Sequence, residues 1–75
     1  MPRYYFHVRN RVGLIRDREG KHLGGPKAAL EHATREVTDM ALKRSKNGET
    51  ADDVEIQVYD ETGLMLFTVP VSADR

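Results

Sequence analysis

Residues 54–70 decide the fold of this 75-residue chain, and they read VEIQVYDETGLMLFTVP. Along Val54–Tyr59 apolar residues alternate with polar or amphipathic ones, which is the period of a strand that buries one face. Residues 60–63 place an aspartate and a glycine where a type I turn followed by a left-handed glycine needs them. The second arm covers residues 64–69, and we expect Pro70 to end its hydrogen-bond ladder. This stretch therefore predicts a β-hairpin.

The N-terminal part of the chain predicts a second pair of strands. Arg3–Arg9 alternates, and its two faces carry Tyr4, Phe6 and Val8 on one side and Tyr5, His7 and Arg9 on the other. The Asn and Gly of residues 10–13 suit a tight turn, because both tolerate a positive φ. A short strand at residues 14–16 then ends at the turn 17–20, which has the same Asp-x-x-Gly pattern as the later hairpin. We interpret residues 21–25 as a connector.

One helix is predicted between the two pairs of strands. Pro26 suits a first helical position, no residue breaks the pattern as far as about Lys46, and Asn47-Gly48 is typical of a helix end. Its core-facing stripe consists of Ala29, Leu30, Ala33, Val37, Met40 and Ala41. A polar linker follows at 49–53, and residues 71–75 are expected to form a frayed tail. We therefore predict one α+β domain, 1–75, with the order ββαββ: a four-stranded, mainly antiparallel sheet with the helix packed on one face.

Composition argues against several classes of function. The chain has no cysteine, which excludes disulfides, thiolate metal sites and cysteine nucleophiles. Twelve basic residues balance twelve acidic ones, so no global positive charge favours nucleic acid. No apolar run approaches the roughly 20 residues of a membrane helix, and the N-terminus has no signal-peptide pattern. We expect a cytoplasmic protein.

The sequence predicts no catalytic residue, no metal site and no cofactor. His32 and Glu36 have a helical ligand spacing, but no third ligand is indicated. Ser45 near the helix end and Ser72 in the tail are poor positions for an activated nucleophile. The aspartate of the 60–63 turn has a structural role, because it bonds the backbone beyond it. We therefore predict that the chain is not an enzyme.

The side of the sheet away from the helix is the predicted interaction surface. If Asp60 pairs with Leu64, the face away from the helix carries five apolar or aromatic residues, Tyr5, Tyr59, Met65, Phe67 and Val69, with His7 and Arg9 at the rim. Monomers seldom expose such a patch, so we predict a homodimer or a protein partner there. In that case Phe67→Asp would favour the monomer without unfolding the chain. Shielding of the patch by the tail, or a register that exchanges the two faces of the last strand, remain as alternatives.

Nucleic-acid binding is the second function that the sequence suggests. Tyr5, His7, Arg9 and Arg11 resemble the aromatic and basic platforms on which single-stranded bases stack. Arg16 and Arg18 add to a local basic excess in this part of the chain, which Asp17 and Glu19 partly offset. The alternative is thus a small regulatory nucleic-acid-binding protein.

The whole chain also resembles a known family. The residues that carry the resemblance are the Tyr4-Tyr5-Phe6-His7-Val8-Arg9 opening, the Asp17-x-x-Gly20 turn, the alanine-rich helix and Asp60-Glu61-x-Gly63 with Val69-Pro70. They are similar to small proteins of unknown function that are abundant in alphaproteobacteria such as rhizobia. The resemblance implies a stand-alone bacterial cytoplasmic domain. It implies no activity and no functional residues. Relatives tend to have an aromatic residue after the final proline, where this chain has Val71.

Overall fold

A computed structural model describes residues 1–46 and 54–71. The elements are β1 (Arg3–Arg9), β2 (Leu14–Ile15), β3 (Lys21–His22), α1 (Pro26–Lys46), β4 (Val54–Tyr59) and β5 (Met65–Val71). The strand order is β2-β1-β4-β5, β3 pairs with β1 as well, and every pairing is antiparallel. The predicted α+β fold, with one helix packed against an antiparallel sheet, is confirmed.

The core lies between α1 and one face of the sheet. Its buried residues are Tyr4, Phe6, Ala29, Ala33, Val54, Ile56, Val58 and Val71. The helix contributes Ala29 and Ala33, both fully buried, because a side chain of one methyl lets a helix approach a sheet closely. Large side chains from the strands fill the space instead. Leu30, predicted to belong to the stripe, is 38% exposed.

The sheet contains one strand more than the sequence predicts. Lys21 and His22 form β3, which pairs with Tyr4 and Arg3 of β1. The segment is held further by the Leu23 amide, which donates to the Pro2 carbonyl at 3.1 Å. A two-residue strand has no periodicity that could distinguish it from a connector.

The three predicted turns form, and the two Asp-x-x-Gly turns each contain a glycine with a positive φ, Gly20 and Gly63. In the 60–63 turn, the Asp60 amide donates to the Leu64 carbonyl at 2.9 Å, and Gly63 has a φ of 90°. The predicted pairing of Asp60 with Leu64 is therefore confirmed. In the 10–13 turn, neither Asn10 nor Gly13 has a positive φ. Asn10 instead accepts the Val12 amide with its side-chain oxygen at 2.9 Å.

A β-bulge in β5 changes the predicted faces. Tyr59 pairs with Met65, but Val58 pairs with Phe67, so that Leu66 is an additional residue between them. In a bulge two residues of one strand oppose a single residue of the other, and the alternation beyond it is shifted by one. Leu66 and Phe67 both pack against the core, as does Val69. The placement of Phe67 and Val69 on the face away from the helix was therefore wrong.

The last strand also extends beyond its predicted end. β5 continues through Pro70 to Val71, and Val71 is 2% exposed and packs beside Val54. Proline is tolerated here because β5 is an edge strand, where no neighbour needs its missing N–H. A frayed tail beginning at residue 71 was thus wrong. The predicted linker 49–53, the helix end at Asn47-Gly48 and the tail residues 72–75 lie outside the described residues.

We predict that Phe67→Asp strongly destabilises the domain, because it places a carboxylate against the core. The expected loss in the free energy of unfolding is about 3 kcal/mol, measured by urea denaturation. Thr68→Asp is the matched control, because Thr68 pairs with Gln57 on the opposite face and is exposed. Equal losses for the two variants would contradict the register with the bulge.

Candidate functional site

The site is built around Asp17, which fills a gap at the outer edge of β1. β2 pairs with Val8 and Arg9, and β3 pairs with Arg3 and Tyr4. Neither strand reaches Phe6, whose amide donates instead to Asp17 Oδ2 at 3.1 Å. A side-chain oxygen thus supplies the ladder bond that a strand would otherwise make, which matters because an unpaired backbone N–H is costly.

The second oxygen of Asp17 closes the turn between β2 and β3. Asp17 Oδ1 accepts the amides of Glu19 at 3.2 Å and Gly20 at 3.1 Å. Gly20 has a φ of 71°, and a Cβ there would lie 2.9 Å from Cε2 of Tyr5. Both the backbone conformation and the close approach of the Tyr5 ring therefore require glycine at this position.

These bonds shift the acidity of Asp17. Burial alone would raise the pKa of the carboxyl, but the backbone N–H groups of Gly20, Phe6 and Glu19 outweigh it and lower the pKa below the ordinary 3.8. The carboxylate is therefore held in its charged form as a structural acceptor.

The Asp17 backbone fixes the state of His7. The Asp17 amide donates to Nδ1 of His7 at 2.9 Å, so the network assigns the neutral ring with its proton on Nε2. Burial and the nearby Arg16 guanidinium lower the pKa of His7 below 6.5, against a smaller opposing effect of Asp17. A protonated ring could not accept the amide bond.

Three aromatic rings lie together on the sheet face opposite α1, which we call the open face. Tyr5 and Tyr59 are direct cross-strand partners, and the His7 ring lies 4.8 Å from the Tyr59 ring and 6.4 Å from the Tyr5 ring. We call these three residues the ring cluster. Each of them is only partly buried.

A polar chain continues the open face from the ring cluster along β4. Arg9 Nε lies 2.9 Å from Glu55 Oε2, which also accepts Gln57 Nε2 at 3.0 Å. The Tyr59 hydroxyl donates to Gln57 Oε1 at 3.5 Å. The bonds from Gln57 and Arg9 lower the pKa of Glu55 below its ordinary value. This end of the face is therefore internally paired.

The ring cluster forms the floor of a shallow concavity of about 670 Å³. On one side it is bordered by Arg16 and Arg18 after β2, which we call the basic wall. At another border Asp60 and Glu61, in the turn at the end of β4, form the acidic wall, and Glu61 Oε1 accepts the Arg3 amide of β1 at 3.3 Å. No helix or strand among residues 1–46 and 54–71 covers the rings, because α1 packs on the other face.

The predicted interface residues are divided between the two faces. Tyr5, Tyr59 and His7 come together as predicted, and Met65, which is 47% exposed, pairs with Tyr59 beside them. Phe67 and Val69 lie on the helix side. Arg9 is engaged with Glu55, and Arg11 is exposed in the loop after β1. From the sequence, Arg16 and Arg18 are recognisable only as part of a local basic excess. The role of Asp17 is not predictable from it, because a turn motif does not reveal which distant amide the side chain bonds.

The described part of the chain contains neither a metal-ligand cluster nor a membrane-spanning helix. Residues 1–46 and 54–71 contain no group of three or more histidine, aspartate or glutamate side chains placed to hold a metal ion. His32 contacts Glu36, with 3.3 Å between Nε2 and Oε2, and packs edge-on against Phe6. Within the same residues, no helix has the length and apolar character needed to cross a membrane.

Comparison with known proteins gives one match. Residues 3–72 match the model of a family described as a domain of unknown function, DUF6894. The matched segment includes every strand and the helix. Neither the curated proteins nor the solved structures contain a match to the chain.

We predict that Asp17→Asn destabilises the domain much more than Asp60→Asn. Asp17 uses both oxygens, so an amide would turn an NH₂ group toward either the Phe6 amide or the turn, at a cost of about 1–3 kcal/mol. Asp60 uses a single oxygen, Oδ1, to accept from Thr62 and Leu64, and an asparagine oxygen can replace it. Thermal unfolding of the two variants measures the difference. A smaller loss for Asp17→Asn than for Asp60→Asn would contradict the role of the Phe6 bond.

We also predict that stability falls as pH falls below about 6.5. The pKa of His7 is lower in the folded state, so the unfolded chain takes up the proton first as the pH falls. The free energy of unfolding is therefore highest above pH 6.5 and decreases between pH 6.5 and the pKa of the folded state. His7→Asn removes this titration while keeping an acceptor near Nδ1, so its free energy of unfolding should depend less on pH. Urea denaturation across this pH range measures it, with His22→Asn as control. An unchanged slope in His7→Asn would contradict the assignment.

Proposed function

The chain belongs to the DUF6894 family, whose description names no activity. From the geometry of the open face we propose that it is a non-enzymatic interaction module that binds a protein through this face. The expected membership of a family of unknown function is confirmed. An alphaproteobacterial origin and a cytoplasmic location stay predictions.

The observation that carries this proposal is the exposed ring cluster with its apolar neighbours. Leu14 and Met65 are 40% and 47% exposed beside it, and Tyr5 and Tyr59 present amphipathic rings that are held by their strands. Rigid aromatic side chains are enriched in protein interfaces, because they offer a large contact area at a low entropy cost. Without Phe67 and Val69 the patch is smaller and more polar than the sequence suggested.

The roles of the titratable groups support a function without catalysis. Both oxygens of Asp17 hold backbone amides, and Asp60 accepts three donors from its own turn. His7 is fixed as an acceptor by the Asp17 amide. A general acid or base must be able to exchange its proton with a substrate, whereas these groups maintain the fold.

The architecture favours binding by the face over binding by a sheet edge. β5 is an edge strand that contains Pro70, which removes a backbone donor and opposes the addition of a further strand. At the other edge, β2 and β3 have two residues each and are separated by the Asp17 turn. Neither edge offers a long, regular ladder to a partner.

Nucleic-acid binding remains a second candidate because Arg16 and Arg18 lie beside the ring cluster. Stacking on Tyr5 and His7, with phosphate contacts from Arg9 and Arg11, is the corresponding interaction. The pairing of Arg9 with Glu55 and the acidic wall both oppose a polyanion. Fluorescence anisotropy with single-stranded oligonucleotides tests it: affinity that falls steeply with salt would favour this candidate.

We predict that a photo-crosslinking amino acid at position 65 gives a discrete protein adduct in cells that naturally produce the chain. Met65 is on the open face, so a bound partner would lie within reach. The same residue at position 42 is the matched control, because Leu42 is 66% exposed on α1, away from the open face. Adducts from position 42 alone, or from neither position, would contradict the proposal.

A further inference from the structure

We propose that the occupant of the open face is a second copy of this chain, arranged so that the basic wall of each protomer meets the acidic wall of the other. This inference names the partner for the proposed function and therefore rests on it. The charges that border the ring cluster support this arrangement.

The two walls of the concavity are opposite in charge and lie at different borders of the ring cluster. Arg16 and Arg18 lie in the segment between β2 and β3, beyond the outer edge of β1, whereas the 60–63 turn lies beyond the end of β4, where Glu61 Oε1 accepts the Arg3 amide at 3.3 Å. Within the described residues, neither Arg16 nor Arg18 has a carboxylate within ion-pair distance. The basic wall thus has charge that a partner could neutralise.

A two-fold axis at the ring cluster pairs the charges of both walls at once. In an isologous interface each contact occurs twice, so the surface must be complementary to itself. A rotation of 180° about an axis that lies between the two open faces, parallel to both sheets and midway between the directions of the two walls, brings the basic wall of each protomer over the acidic wall of the other. Tyr5, His7 and Tyr59 then face their equivalents at the centre, where aromatic anchors contribute most. A polyanion or a uniformly acidic partner would meet repulsion from Asp60 and Glu61.

The area of the open face determines how tightly we expect the dimer to associate. Usual strand rise and spacing give a face of roughly 20 by 15 Å, which is below the area of standard permanent interfaces. We therefore expect a reversible dimer that dissociates at roughly micromolar concentration. The association also offsets the small core, because among residues 1–43 and 54–71 only Ile56 and Val58 are large and fully buried.

The test is sedimentation equilibrium over a concentration series, with one charge reversed at a time. Either Arg18→Glu or Glu61→Lys brings like charges together at positions 18 and 61 in both contacts, so each variant should dimerise roughly tenfold more weakly than the unaltered chain. In the mixed dimer of the two variants, opposite charges meet at these positions in both contacts again. An equimolar mixture should therefore associate more tightly than either variant alone and nearly as tightly as the unaltered chain.

Two controls keep the test interpretable. Arg35→Glu reverses an exposed charge on α1 and should leave association unchanged. Circular dichroism checks the fold of each variant, and if one does not fold, the unaltered chain is measured at increasing salt, which should weaken the dimer.

Each remaining outcome overturns the inference. A chain that stays monomeric at the highest concentration has no second copy on its open face, and crosslinking at position 65 then decides separately whether another protein binds there. Association that is indifferent to salt and to both reversals places the contact elsewhere. Co-sedimenting absorbance at 260 nm, lost in Arg18→Glu, would assign the face to nucleic acid.

Discussion

The carboxylate and amide of Asp17 connect the parts of the structure on which the candidate site depends. Its oxygens bond the Phe6 amide and the turn before β3, and its own amide bonds His7. Asp17 thereby provides the hydrogen-bond acceptor that the β1 ladder lacks at Phe6. It also positions the Arg16–Arg18 segment beside the rings and fixes His7 in its neutral form. Because an unpaired backbone N–H costs free energy, folding itself favours the position of Asp17 in which its carboxylate bonds the Phe6 amide.

The bulge at Leu66 determines which side chains of β5 belong to the open face. By shifting Phe67 and Val69 onto the helix side, the bulge enlarges a core to which α1 contributes only alanine at its closest positions. The face that remains is narrower, with two tyrosines, a histidine and Met65 between walls of opposite charge. Such a surface favours a partner that is itself bipolar over a purely apolar or purely anionic one.

The aspartates of the two Asp-x-x-Gly turns differ in how far along the chain their hydrogen-bond partners lie. Asp60 bonds only within its own hairpin, so its turn is a local structure that the sequence specifies. The Asp17 carboxylate combines a local turn with a bond to the Phe6 amide, eleven residues earlier in the chain. The positive φ of both glycines follows from local turn geometry, but only Gly20 is also required by a distant ring.

The sequence by itself determined the period of each long element, and with it the helix, the strands β1 and β4, the 60–63 turn and the face of each residue in β1. These features depend on neighbours along the chain, so composition and spacing suffice. The two-residue β3, the bulge at Leu66, the continuation through Pro70 and the bond from Asp17 to β1 were decided only by the tertiary structure. Each of them exists because a distant segment provides a hydrogen-bond partner or a core to fill, and residue spacing contains no information about either.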